Sequence, residues 1–143
     1  MELSNQINDA STYASIADDC TKLMEEIVAA KSGLGGMAFK ATYKVVKGIG
    51  ADYIPGAVER LLPSTLNALN PIWAEGQKQG DPVAYLSQHS DRTADLILST
   101  TDARIEHKGK GVIVSAYKKL RNSIKPDVVA AVPDLAKILG KYA

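Results

Sequence analysis

Cysteine occurs once in this chain, tryptophan once, phenylalanine once and histidine twice, and each scarcity closes off a class of answer. One cysteine cannot form an intramolecular disulfide, so nothing points to an oxidising compartment. Cys20 falls on an apolar helical face and reads as a small buried residue rather than a reactive thiol. Aromatic residues make up 6% of the chain, so the interior must be built from Leu, Ile, Val and Ala, a mix that suits close-packed helices better than a β-sandwich. Surplus charge is missing too. Seventeen basic against sixteen acidic residues leave a net charge of +1, whereas binding to phosphate backbones usually needs a basic excess, so the balance argues against nucleic acid. No apolar run approaches the ~20 residues that span a bilayer. The opening MELSNQINDAST has neither a basic segment nor an apolar core, so no signal peptide is expected and the expected location is the cytoplasm.

Catalytic signatures are equally sparse. No C-x-x-C, H-E-x-x-H, G-x-S-x-G or G-x-x-x-x-G-K-[ST] occurs. His89 and His107 would stand ~27 Å apart along an unbroken helix, too far to share one metal. The sequence assigns no catalytic residue, no metal ligand and no cofactor.

What is present is ordinary globular stock: 143 residues, 45% hydrophobic and 23% charged, read as a single helical domain over residues 1–143. Its centre is Ile54–Trp73, where Pro55, Pro63 and Pro71 interrupt Val58, Leu61, Leu62, Leu66, Leu69, Ile72 and Trp73. Proline fixes φ, lacks an N–H and pushes its predecessor out of the helical region, so each should start or kink a short helix. Upstream, Tyr13, Ile16, Ala17, Cys20, Leu23, Met24, Ile27 and Val28 define a long helix, capped by Ser11 or Asp9, with Ser4 as an earlier alternative. It should end at Ser32-Gly33, with Gly33-Leu34-Gly35-Gly36 as a tight connection. Met37–Lys47 fits both a strand and a helix; helix is preferred because no second strand exists to pair with. Asp81-Pro82 opens a short helix through Ser87, and Ser90 or Asp91 caps another that Lys108-Gly109-Lys110-Gly111 breaks. Ile113, Ala116, Tyr117, Leu120 and Ile124 mark the next, and Pro126 and Pro133 open the last two. The expected fold is all-α: one compact, irregular bundle of seven to eight helices, several short and proline-started. Val58–Leu69 and Val128–Leu139 echo each other around Pro63 and Pro133, too briefly to count as a repeat.

A likeness emerges from several short stretches. Ser32-Gly-Leu-Gly-Gly-Met-Ala-Phe-Lys40 with Tyr43-Lys-Val-Val-Lys47, Leu61-Leu-Pro63, Ser90-Asp-Arg92 with Ala94-Asp95, and Thr101-Asp-Ala-Arg104 resemble an uncharacterised family of small bacterial proteins. That resemblance implies a bacterial, soluble, all-helical domain. It implies no activity and no site residues.

Two charged stripes are the polar features with most character. Asp91, Asp95, Asp102 and Glu106 fall within about 60° of one another on a helix, and their mutual repulsion calls for opposite charge nearby. Arg92, Arg104, the Lys40/Lys44/Lys47 stripe, another subunit or a divalent cation could supply it. The plainer alternative is that Asp91 and Asp95 complement the helix N-terminus and the others are solvated. Lys40, Lys44 and Lys47, opposite Phe39, Tyr43 and Val46, could meet phosphates or an anionic membrane, but a solvated lysine face is preferred, as it is for Tyr117, Lys118, Lys119 and Arg121. The glycine-rich turn beside Lys40 could hold an anion; a plain helix–helix turn is preferred. The expected function is a non-enzymatic binding or protein-interaction module, with self-association through the two stripes one version of it. The alternative is a small-molecule binder or enzyme with an apolar cavity between proline-kinked helices. Candidate binding residues are Asp91, Arg92, Asp95, Asp102, Arg104, Lys40, Lys44 and Lys47.

Overall fold

The computed structural model describes residues 2–31 and 33–143. Seven helices and no strand occur among the described residues: α1 (Leu3–Gln6), α2 (Ala10–Ala30), α3 (Gly33–Lys47), α4 (Tyr53–Lys78), α5 (Pro82–Gln88), α6 (Ser90–Lys108) and α7 (Val112–Tyr142). Local chemistry sets several boundaries. Asp9 caps α2 by accepting from the Thr12 amide, and Asp81 caps α5 by accepting from the Ala84 amide, with Pro82 opening the helix. Gly109, at φ 83°, ends α6 in a conformation that side chains with a Cβ rarely adopt.

The prolines do not break the chain as expected. α4 runs for 26 residues with Pro63 and Pro71 inside it, and α7 for 31 residues with Pro126 and Pro133 inside it. Only α5 is both short and proline-started. A proline inside a helix removes one i→i−4 bond and crowds the carbonyl behind it, which bends the helix when that carbonyl can turn to water. Pro63, Pro71 and Pro126 are exposed and Pro133 is half-buried, so most of these prolines fall where water can reach the freed carbonyl. Two smaller expectations also change, and the choice of cap for α2 is decided between its alternatives. Gly33–Gly36 form the first turn of α3 rather than a connection, and Ser32 lies outside the described residues. Asp9, not Ser11, caps α2, and Ser4 instead pairs with Asn70. His89, with no side-chain capping bond, stands before α6 in place of Ser90 or Asp91.

α4 and α7 are the two walls of the molecule, and α2, α5 and α6 each pack against both. The buried cluster draws Leu3 and Ile7 from the first segment, Ile16 and Cys20 from α2, Leu62, Leu66, Leu69, Ile72 and Trp73 from α4, Leu86 from α5, Ala94 from α6, and Val132, Ala136 and Leu139 from α7. The Ile54–Trp73 stretch is therefore central, and the first long helix does lie across it. α5 is a wedge between the walls, approached through glycine on each side: Gly76 of α4 beside Pro82 and Tyr85, and Gly140 of α7 beside Val83. Outside this core, α3 rests against α2, α4 and α7 and turns Phe39, Tyr43 and Val46 inward, as the helical reading of Met37–Lys47 requires. Burial pushes the Cys20 thiol up to about 12, which leaves it a space-filling residue.

Candidate functional site

α6 and α7 form an antiparallel hairpin around Gly109–Gly111, and this hairpin answers the acidic stripe. Asp102 Oδ1 accepts from Arg121 Nε at 2.8 Å and from Tyr117 Oη at 2.5 Å, with Arg121 Nε also 3.1 Å from Oδ2. The Arg121 guanidinium, helped by Tyr117 and opposed by partial burial, holds the Asp102 carboxyl below the ordinary carboxylate range. Burial first, and the Asp102 charge second, push the Tyr117 phenol up. Asp95 pairs with Lys125 at 2.9 Å. Asp91 lies exposed in the first turn of α6, where the helix dipole favours it.

A depressed folded-state pKa contributes stability above the unfolded value and loses it as pH falls through the folded one. Both partners are more than a third exposed (Arg121 35%, Asp102 41%), so solvent screens the pair. Asp102→Asn should therefore cost less than about 1 kcal/mol at neutral pH. The gap in melting temperature from the parent should begin to shrink as pH falls below about 4, the ordinary carboxylate value, and close only below the depressed folded value, where the parent carboxyl is protonated too. Thermal melts at several pH values check this; a gap that persists unchanged in acid would show that the ionic contact is not its source.

The remaining α6 charges separate into two kinds. Arg92 is spent on Glu75 of α4, with Nη2–Oε2 at 2.7 Å and Nη1–Oε1 at 3.1 Å, and Tyr85 Oη donates to the same carboxylate at 3.1 Å. Arg104 makes no ion pair among the described residues. His89 stacks on Tyr85 with ring centroids 4.2 Å apart, while His107 is exposed at the far end of α6. No group of three or more His, Cys, Asp or Glu side chains able to hold a metal ion occurs among the described residues. The opposite charge for Asp95 and Asp102 thus comes from Lys125 and Arg121 of α7, of which the sequence reading had Arg121 in a separate solvated group, and not from the Lys40 stripe.

Two clefts flank α6. One, of about 480 Å³, is bordered by Asp102, Glu106, Tyr117, Lys118 and Arg121. The other, of about 330 Å³, lies between α4 and α6 beside Arg60 and Arg104. Charged side chains stand among apolar surface in both.

Lys40, Lys44 and Lys47 do share the outward face of α3, but not with solvent alone. Met37 is 67% exposed, Val45 55% and Ile49 47%, three of the four most exposed large apolar side chains; the fourth is Val112. Met37, Ala41 and Val45 recur every four residues, a continuous ridge on a helix, with Lys40 and Lys44 along one flank. Between Glu26 and Asp52 the chain has four lysines and no acid. Lys31 is paired with Asp127, and Lys47 with Glu25 at 3.0 Å, so Lys40 and Lys44 are the lysines there without an ion pair among the described residues.

No helix among the described residues is long and apolar enough to cross a membrane. No curated protein and no solved structure matches the chain. One family model does, and it takes in the first helices as well as the stretches that carried the sequence resemblance. Matched over residues 3–143, the chain belongs to a family of unknown function, DUF6918.

Proposed function

We propose that the chain is a non-enzymatic interaction module that docks an acidic partner protein through the outward face of α3. The observation that carries this is the ridge of Met37, Ala41 and Val45 on α3, continued by exposed Ile49 in the turn after it, beside Lys40 and Lys44, which have no ion pair among the described residues. Exposed apolar side chains standing singly need no explanation, but a ridge of them on one helix suits a groove, with the lysines at the rim. An acidic rim on the partner would complement them. Docking two copies ridge to ridge would set lysine against lysine, and two acids of the α6 stripe, Asp95 and Asp102, already have partners inside the chain. A bacterial, cytoplasmic setting for the module follows from the sequence resemblance and the single, buried cysteine.

Hydroxyl-radical footprinting tests the reading at one atom. Met37 should oxidise readily in the purified protein and be protected several-fold in a cell extract of the source organism, with Lys44→Glu restoring its exposure. Equal oxidation of Met37 in extract and in buffer would sink the reading.

A further inference from the structure

The chain has four arginines, and their fates divide evenly. Arg92 and Arg121 are each held by a carboxylate, Glu75 and Asp102. Arg60 and Arg104 have no carboxylate partner among the described residues, yet the fold brings both to the same cleft between α4 and α6. His107 and the hydroxyl residues Ser64, Ser99 and Thr100 share that cleft, and no acidic residue lines it. The cleft beside Asp102 differs on this point, since Glu106 and Asp102 offset its cations.

We infer that the α4–α6 cleft binds a small anion carrying a phosphate or carboxylate group, gripped by Arg60 and Arg104. Two guanidinium groups facing one space repel, and an anion between them converts that repulsion into attraction on both sides. The planar fork of each guanidinium matches the paired oxygens of either anion. Arg60 is partly preorganised: its guanidinium lies over the Tyr53 ring, 5.9 Å from its centre, at the outer reach of a cation–π contact. Ser99 and Thr100 already donate to the Leu96 and Ile97 carbonyls, so the donors left for a ligand are Arg60, Arg104, His107 and Ser64. About 330 Å³ sits at the small end of the range of ligand sites, so the ligand is compact rather than an extended polymer.

Isothermal titration of the full chain at constant ionic strength tests this, with pyrophosphate as the phosphate probe and citrate as the carboxylate probe. The expected result is one site per chain for at least one probe, and whichever binds more tightly names the ligand chemistry. Arg60→Gln and Arg104→Gln should each weaken binding at least about tenfold, because each removes charge-assisted hydrogen bonds. Both side chains are exposed, so neither change should disturb folding, which circular dichroism verifies. Lys137→Gln, at an exposed position of α7, should leave the affinity unchanged. Absence of saturable binding by either probe would overturn the inference, as would a loss in Lys137→Gln equal to that in the arginine variants, since that would mean diffuse charge rather than a site.

Discussion

Gly76→Ala is expected to destabilise the protein by about 2–3 kcal/mol, against the sign that helix propensity alone would give. Within a helix, alanine is favoured over glycine by about 1 kcal/mol, so an unconstrained position would gain. At Gly76 a Cβ would lie 2.6 Å from Pro82 Cα, 2.9 Å from Tyr85 Cβ and 3.1 Å from Pro82 Cβ. All three atoms sit on or beside the backbone of α5 and cannot rotate away, so the whole wedge must move. Its movement is resisted at both ends. Leu86 is buried in the core, the Tyr85 hydroxyl is bonded to Glu75, and Gly140 leaves no slack on the far side because Val83 already stands where its Cβ would be. Gly56→Ala, in the same helix, is the matched control, since the added methyl meets only Arg60 Nη1 at 3.3 Å, the end of a flexible side chain. It should be neutral or stabilising by up to about 1 kcal/mol. In a chain of this length the Gly76 variant should melt roughly 5–10 °C below the parent. If it melts with the Gly56 variant instead, α4 and α5 do not approach each other this closely.

Features set by a few neighbouring residues were legible in the sequence. Apolar spacing located the buried faces of α2 and α4, because Ile16, Cys20, Leu62, Leu66, Leu69 and Ile72 must share a side of any helix that holds them. Asp9 and Asp81 cap helices through bonds three residues long, and Asp81-Pro82 announces itself. Whether a proline ends a helix or bends it is another matter, because the outcome depends on which way the freed carbonyl faces, and that is tertiary information. The partners of the acidic stripe were within reach and missed. Asp95 and Lys125 stand equally far either side of Lys110, as residues must to meet across an antiparallel hairpin turning there. Treating Lys108–Gly111 as a hairpin, not merely a break, would have paired them. Nothing comparable was available for Arg60 and Arg104, which come from helices with another between them in the chain. The outward ridge of α3 was hidden for a different reason. A helix apolar on two sides does not reveal which side the rest of the protein covers.

Pro63→Ala is expected to act in the opposite direction from Gly76→Ala, raising stability by about 1–2 kcal/mol. A proline inside a helix costs about 3 kcal/mol relative to alanine, partly from the lost hydrogen bond and partly from the clash with the carbonyl one turn back. Here that carbonyl belongs to Glu59, and the exposure of Pro63 lets water take the freed bond, which relieves part of the cost. A further offset of about 0.4–1 kcal/mol arises in the unfolded chain, which proline stiffens and alanine does not. Alanine returns the missing donor to Glu59 without forbidding the bend, so Leu62 and Leu66 can keep their places in the core. Pro71→Ala should act with the same sign; the sites are ~12 Å apart along the helix, far enough for the two effects to add. Urea melts of the single and double variants measure this directly. A loss of stability in Pro63→Ala would mean that proline imposes the curvature of α4 and that the packing of α2 and α5 depends on it. A gain would mean that the core imposes the curvature, and that the helix tolerates its prolines because they fall on the face where water can replace the bond they remove.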